Sequence, residues 1–188
     1  MIVDSPAGKL RLVARDATLI AILWESERSN RVKLGEMQLA DDNPILLDAK
    51  RQLNEYFAGE RTQFDLDIAM EGTPFQKRVW RALLAIPFGE RCTYRDIATR
   101  IGNHQAARAV GAAIGRNPLS IITPCHRVVG SSSSLTGFAG GLPAKLCYLI
   151  RKIGQRAKPP ERGKQRLFLS APRVSAREAP ISGADFFS

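Results

Sequence analysis

Hydrophobic spacing changes period along this chain, and the changes mark out its elements. Between residues 2 and 24 the apolar positions come in short bursts, Leu10, Leu12 and Val13, then Leu19 through Trp24. Pro6-Ala7-Gly8 precedes the first burst and Arg15-Asp16-Ala17 separates the two, which predicts a β-hairpin or meander. From Asn43-Pro44, the set Leu46, Leu47, Ala49, Leu53 and Phe57 has helical spacing, with Gly59 at the stop. Phe64, Leu66 and Ile68 then alternate with Asp65, Asp67 and Ala69, the period of a strand with one packed face. Residues 1–70 therefore predict a small α+β unit, and none of its residues stands out chemically.

At Gly72-Thr73 the pattern turns helical. Thr73 with Gln76 has capping-box spacing, Pro74 takes the favoured first position, and Phe75, Val79, Leu83 and Ile86 form an apolar stripe ending at Pro87-Phe88-Gly89. A second capping box, Thr93 with Asp96, opens a short helix that stops at Gly102-Asn103. A third helix is predicted at once over residues 104–115, its surface nearly bare of large side chains. Two short helices around a tight turn have the outline of a helix-turn-helix. Small residues on a helix fit either close packing inside a protein or close approach to a nucleic-acid groove. Beyond it, Ile121-Ile122 reads as the end of a buried strand that Pro124 terminates.

A chain of 188 residues, 44% of them hydrophobic, can fill one domain or two small ones. No apolar run approaches the ~20 residues needed to cross a bilayer, and the N-terminus lacks signal-peptide order, so a cytoplasmic location without membrane contact is expected. Cys92, Cys125 and Cys147 are an odd, widely spaced set, which suits reduced thiols. With only His104 and His126 beside them, no zinc site is predicted. The net charge of +10 is concentrated at the end: residues 145–188 hold 10 Lys and Arg against 3 Asp and Glu. Residues 88–128 contribute six arginines, among them Arg108 and Arg116, no lysine, and only Glu90 and Asp96 as acids. Fixed guanidinium forks of this kind suit phosphate contacts, as they also suit a solvated basic face.

The candidate chemistry lies in Pro124-Cys125-His126-Arg127-Val128. A thiol with a free pKa near ~8.5 is only slightly ionised at neutral pH. His126 can take its proton and Arg127 favours the thiolate. A buried structural cysteine beside a surface histidine is the plainer alternative.

Together with Ala106-Ala107-Arg108-Ala109-Val110-Gly111, Arg116-Asn117-Pro118 and Leu135-Thr136-Gly137-Phe138-Ala139-Gly140-Gly141, this motif resembles the O6-alkylguanine-DNA alkyltransferases, from about Ser5 to Lys145. The resemblance implies an α+β fold: a small N-terminal ribonuclease H-like unit (1–70) and a helical, winged-helix-like DNA-binding and catalytic unit (71–152); the basic, Pro-, Gly- and Ser-rich composition beyond it predicts a disordered tail (153–188). It implies a monomer that binds duplex DNA, flips an O6-alkylated guanine out of the stack, and moves the alkyl group irreversibly to Cys125, with O4-alkylthymine a lesser substrate and no cofactor or metal. By the same resemblance His126 is the water-mediated base. Tyr94 presses on the target phosphate, and Arg108 fills the space left in the stack. Ala106, Ala107 and Arg116 lie on the DNA face. Asn117 orients the acceptor segment, and Val128, Gly137, Phe138 and Ala139 line the base pocket. Chemistry on a base inside a duplex requires its extrusion, and an inserted planar cation offsets part of the lost stacking.

Two positions depart from the family pattern. Phe138 stands where tyrosine is frequent, and Lys152 falls at the position of a glutamate that accepts the histidine's second ring proton. Lysine cannot accept that bond, and its charge disfavours protonated His126. This favours, as the alternative function, a non-catalytic binder that flips alkylated bases without repairing them. A cysteine hydrolase is the third reading, and it leaves the helix-turn-helix unexplained.

Overall fold

The computed structural model describes residues 1–130 apart from 7, 26 and 28–30. Strands β1 (Ile2–Val3), β2 (Leu10–Arg15) and β3 (Thr18–Trp24) form an antiparallel sheet in that order. The β2–β3 hairpin turns at Asp16 and carries a bulge between Val13 and Ala14. Arg11 is exposed between buried Leu10 and Leu12, whereas Leu19 through Trp24 are all buried. β3 reads as a continuous apolar run because it is covered on both faces.

The free edge of β3 explains how the two halves of the chain meet. Leu19 exchanges backbone hydrogen bonds with Asp67 and Ala69 (2.9 and 3.0 Å), and Ile22 with Pro118 and Ser120 (2.9 and 3.2 Å). The segment predicted as a strand at 64–69 is thus a single parallel bridge at Ile68. Its predicted alternation is present, with Leu66 and Ile68 buried and Asp65 and Asp67 exposed. The second bridge, between Ile22 and Leu119, is likewise a single parallel pair.

Helix α1 (Pro44–Ala58) lies against β2 and β3. Asn43 caps it by accepting from the Ile45 and Leu46 N–H groups, and Gly59 ends it at φ 85°, a left-handed conformation that suits glycine. Buried Gln52 stitches it to the Ile68 segment through both backbone groups of Asp65 (2.7 and 2.8 Å). Leu47, which shares the apolar spacing, is half exposed.

Helices α2 (Pro74–Leu84), α3 (Tyr94–Arg100) and α4 (Ala107–Gly115) pack on one another. Both predicted capping boxes are present, at Thr73 and Gln76 and at Thr93 and Asp96. Trp80 Nε1 donates to the Ala113 carbonyl at 2.9 Å and so ties α2 to α4. α4 starts three residues later than its composition predicts, since residues 104–106 form a turn and no side chain caps it. Among the described residues no helix is long and apolar enough to cross a membrane.

Candidate active site and nucleic-acid interface

Residues 117–129 form the acceptor segment, and its backbone departs from the strand predicted there. Ile121 has φ 76°, a region that a β-branched residue enters only under strain of about 1–3 kcal/mol. Ile122 N–H bonds to Ser120 C=O at 3.0 Å, the i to i+2 bond of a γ-turn centred on Ile121. A second such turn of opposite hand follows at Pro124 (φ −80°, ψ 61°), closed by Cys125 N–H to Thr123 C=O at 2.7 Å. Two reversals in the six residues 120–125 replace the expected strand end, and they set Cys125 at the start of a 3-10 turn, Cys125–Arg127. Cys125 and His126 are both buried.

Asn117 holds these turns open. Its Oδ1 accepts from Leu119 N–H at 3.0 Å and its Nδ2 donates to Thr123 C=O at 3.0 Å. One buried amide thereby bridges the start of the segment to the carbonyl that also receives the Cys125 N–H. At the exit, Val128 and Val129 form β5 and pair in parallel with β4 (Cys92–Thr93), whose second residue is itself the cap of α3. The acceptor segment is therefore anchored to α4 where it begins and to α3 where it ends.

Arg127 fixes the far side. It is buried, donates to the Ile86 carbonyl at 2.5 Å, and stacks over the Phe88 ring with its guanidinium carbon 5.6 Å from the centroid. The Tyr56 hydroxyl of α1 lies beside it. Burial pushes the Tyr56 pKa up and the Arg127 pKa down, and in each case the other group partly offsets the shift. Cys92 is also buried, and burial raises its thiol pKa, which keeps it protonated and unreactive at neutral pH.

The helix-turn-helix presents a separate surface. Arg108, Ala109, Ala112 and Arg116 are exposed on one side of α4 and its end, while Val110, Ala113 and Ile114 are buried on the other. The small residues thus face outward, and the packing alternative does not hold for Ala109 and Ala112. Ala106, Ala107 and Tyr94 are half buried, and Tyr94 lies 3.7 Å from where a Gly111 side chain would begin. Arg91, Arg95 and Arg100, before and along α3, are exposed as well. A narrow, basic, side-chain-poor ridge can approach a nucleic-acid groove closely.

The structure brings Cys125, His126, Val128 and Asn117 together and places Tyr94, Ala106, Ala107, Arg108 and Arg116 on the neighbouring ridge. Gly137, Phe138, Ala139 and Lys152, with the expected tail, lie outside the described residues. The contribution of residues 1–70 was not foreseen from sequence: Ile22, Tyr56 and the loop residues Glu27 and Arg31 all reach the acceptor segment or its supports. Apolar Ile22 and isolated loop charges give no sequence signal of such contacts.

Comparison with known proteins accords with this arrangement. The family model for the 6-O-methylguanine DNA methyltransferase ribonuclease-like domain matches residues 1–70, and that for the DNA binding domain matches residues 74–151. The constitutive methylated-DNA–protein-cysteine methyltransferase of Bacillus subtilis is 56% identical over 159 residues, covering 82% of this chain and 96% of the relative. That of Mycolicibacterium paratuberculosis is 46% identical over 148 residues, covering 78% and 87%. The crystal structure of Mycobacterium tuberculosis OGT in complex with DNA matches with a TM-score of 0.73 at 43% identity, covering 81% of this chain and 91% of that one. Motifs, fold and relatives agree, and the chain belongs to the 6-O-methylguanine DNA methyltransferase family.

Proposed function

We propose that this protein repairs DNA by direct, irreversible transfer of an alkyl group from O6-alkylguanine in duplex DNA to the Cys125 sulfur, with O4-alkylthymine a lesser substrate. The observation that carries this reading is the seating of Cys125 and His126 in one turn that is anchored at both ends to an exposed basic helix-turn-helix. His126 takes the thiol proton through a water. The thiolate then attacks the alkyl carbon, the S–C bond forms as the O6–C bond breaks, and the leaving guanine takes up a proton. The thioether product is a poor leaving group, so each chain reacts once. Cysteine suits this displacement because a thiolate is a stronger nucleophile toward carbon than a serine hydroxyl.

Arg108 enters the base stack and Tyr94 presses on the target phosphate, roles supported by their places on and beside the α4 ridge. Ala106, Ala107 and Arg116 line the DNA face, Asn117 orients the turns, and Val128 with Gly137, Phe138 and Ala139 shapes the base pocket. The same proposal divides the chain into an N-terminal unit (1–70), a DNA-binding and acceptor unit (71–152) and a basic tail (153–188). It has the protein act as a cytoplasmic monomer, in a compartment where Cys125 stays reduced.

Intact-protein mass spectrometry after incubation with an O6-methylguanine duplex tests the reading. A gain of about 14 Da, absent in Cys125→Ala, is expected for stoichiometric methyl transfer to sulfur. No gain in the wild-type chain overturns it. Lys152→Glu supplies the family's missing acceptor, and it is expected to raise the transfer rate constant about tenfold or more; an unchanged rate shows that the histidine needs no such partner here.

A further inference from the structure

We propose that Arg31, a residue of the N-terminal unit, is a positioning residue for alkyl transfer, acting through Asn117; this rests on the function proposed above. Its guanidinium is nearly buried, with a side-chain exposure of 10%, so it is not available as a phosphate ligand. Nη2 bonds the Glu27 carboxylate at 2.6 Å. That carboxylate also accepts the Trp24 N–H at 3.0 Å and so is fixed to the end of β3. Nη1 of the same fork donates to the backbone carbonyl of Asn117 and reaches the Gly115 carbonyl at 3.5 Å. A cation there also complements the carbonyl end of α4.

The link continues without interruption to the reacting atom's own residue. The Asn117 side chain bonds Thr123 C=O, and that carbonyl receives the Cys125 N–H. Arg31 therefore sets where the Asn117 backbone sits, Asn117 sets the two γ-turns, and the turns set Cys125. A planar fork paired with the Glu27 carboxylate on one arm and bonded to the Asn117 carbonyl on the other, the cation strengthening both, holds such a junction more tightly than a neutral donor would. The geometry matters because displacement of a nucleophile by about 1 Å can cost two orders of magnitude in rate. The N-terminal unit acquires a role in the chemistry without contributing a reacting group.

The test measures three quantities on the full chain: the single-turnover transfer rate constant at saturating O6-methylguanine duplex, the affinity for the same duplex undamaged, and Tm. Arg31→Lys keeps the charge and the stem but cannot span Glu27 and Asn117 with one rigid fork. It is expected to slow transfer by about tenfold or more, with duplex affinity within about threefold of wild type and Tm within about 3 °C. Glu27→Gln is expected to slow transfer in the same direction by less, and the double variant to be no slower than Arg31→Lys. Arg31→Lys reacting at the wild-type rate overturns the proposal. So does a rate loss matched by equal loss of duplex affinity, or by a fall in Tm beyond that limit, because a merely structural role predicts those patterns. Wild-type protein in the same assay separates this from failure of the alkyl-transfer reading, which shows as no transfer at all.

Discussion

The helix-turn-helix and the acceptor segment lie next to each other and are held in opposite ways. Residues 93–116 are held mostly by their own caps and by helix packing: Thr93 and Asp96 cap α3 reciprocally, Gly102 ends it in a left-handed conformation, and Trp80 of α2 adds one bond to the Ala113 carbonyl of α4. Residues 117–129 have almost no repeating structure and are held from outside, by β3, α4, β4, Arg31 and the Ile86 carbonyl. The difference corresponds to the role proposed for each region. A binding ridge must survive contact with many sequences and gains from autonomous stability. A nucleophile must sit at one place relative to the ridge, which only contacts to several separate elements can specify.

The sharpest separation of the two regions is Cys125→Ala. It is expected to abolish transfer completely while leaving affinity for an O6-methylguanine duplex within about threefold, since the ridge is untouched. Gel-shift and single-turnover assays on one preparation check this, and joint loss of binding would mean that the two regions do not act separately. Next in size is Asn117→Ala. It strands the buried Leu119 N–H and leaves the Thr123 carbonyl with the Cys125 N–H alone, at about 1–3 kcal/mol in chemical denaturation, and slows transfer at least tenfold by releasing the turns. A stability loss with an unchanged rate would show that the γ-turns persist without it.

Ala109→Glu attacks the other region. The side chain is exposed on the ridge, so Tm is expected to hold within about 2 °C. Duplex affinity is expected to fall about tenfold through bulk and like charge against phosphate, with a reduced slope against salt. Unchanged affinity would place the DNA on a different face.

The same contrast explains what could be read from the sequence. The caps at Thr73 and Thr93 and the stops at Gly59 and Gly102 were legible because each signal and its partner lie within about four residues. Cys125 and His126 were legible because they are adjacent. The conformation that presents them was not: Ile121-Ile122 has the composition of a strand, and positive φ at a β-branched residue is set by tertiary contacts that no local pattern encodes. α4 was read three residues too long at its start because residues 104–106 carry no cap or break that marks where the helix begins. Arg31 bonds a carbonyl 86 residues away and Arg127 one 41 residues away, and a lone arginine in sequence says nothing about either partner. The roles of Asn117, Arg108 and Tyr94 came from resemblance to the family rather than from the pattern of the chain.

The smallest effect tests whether the ridge is locally held. Asp96 accepts from the Thr93 N–H at 2.7 Å, and that bond, with the Thr93 hydroxyl and the cationic Arg100 and Arg95, keeps its carboxyl below the usual range. A lowered pKa in the folded state stabilises the fold above the unfolded carboxyl pKa, and this contribution is lost as pH falls through the folded-state value. Asp96 is exposed, so solvent screening limits the effect to about 0.5 kcal/mol. Asp96→Asn keeps an acceptor but removes the charge. It is expected to be slightly less stable than wild type at pH 7, with the difference vanishing below the folded-state pKa, as urea denaturation at both pH values would show. Transfer rate and duplex affinity should not change, because α3 is also secured by Ile97 and Ala98 in the core. A large loss of transfer from this one charge would mean that the cap, through β4 and Val128, helps to hold the acceptor turn, and the two regions would then share a support at the start of α3.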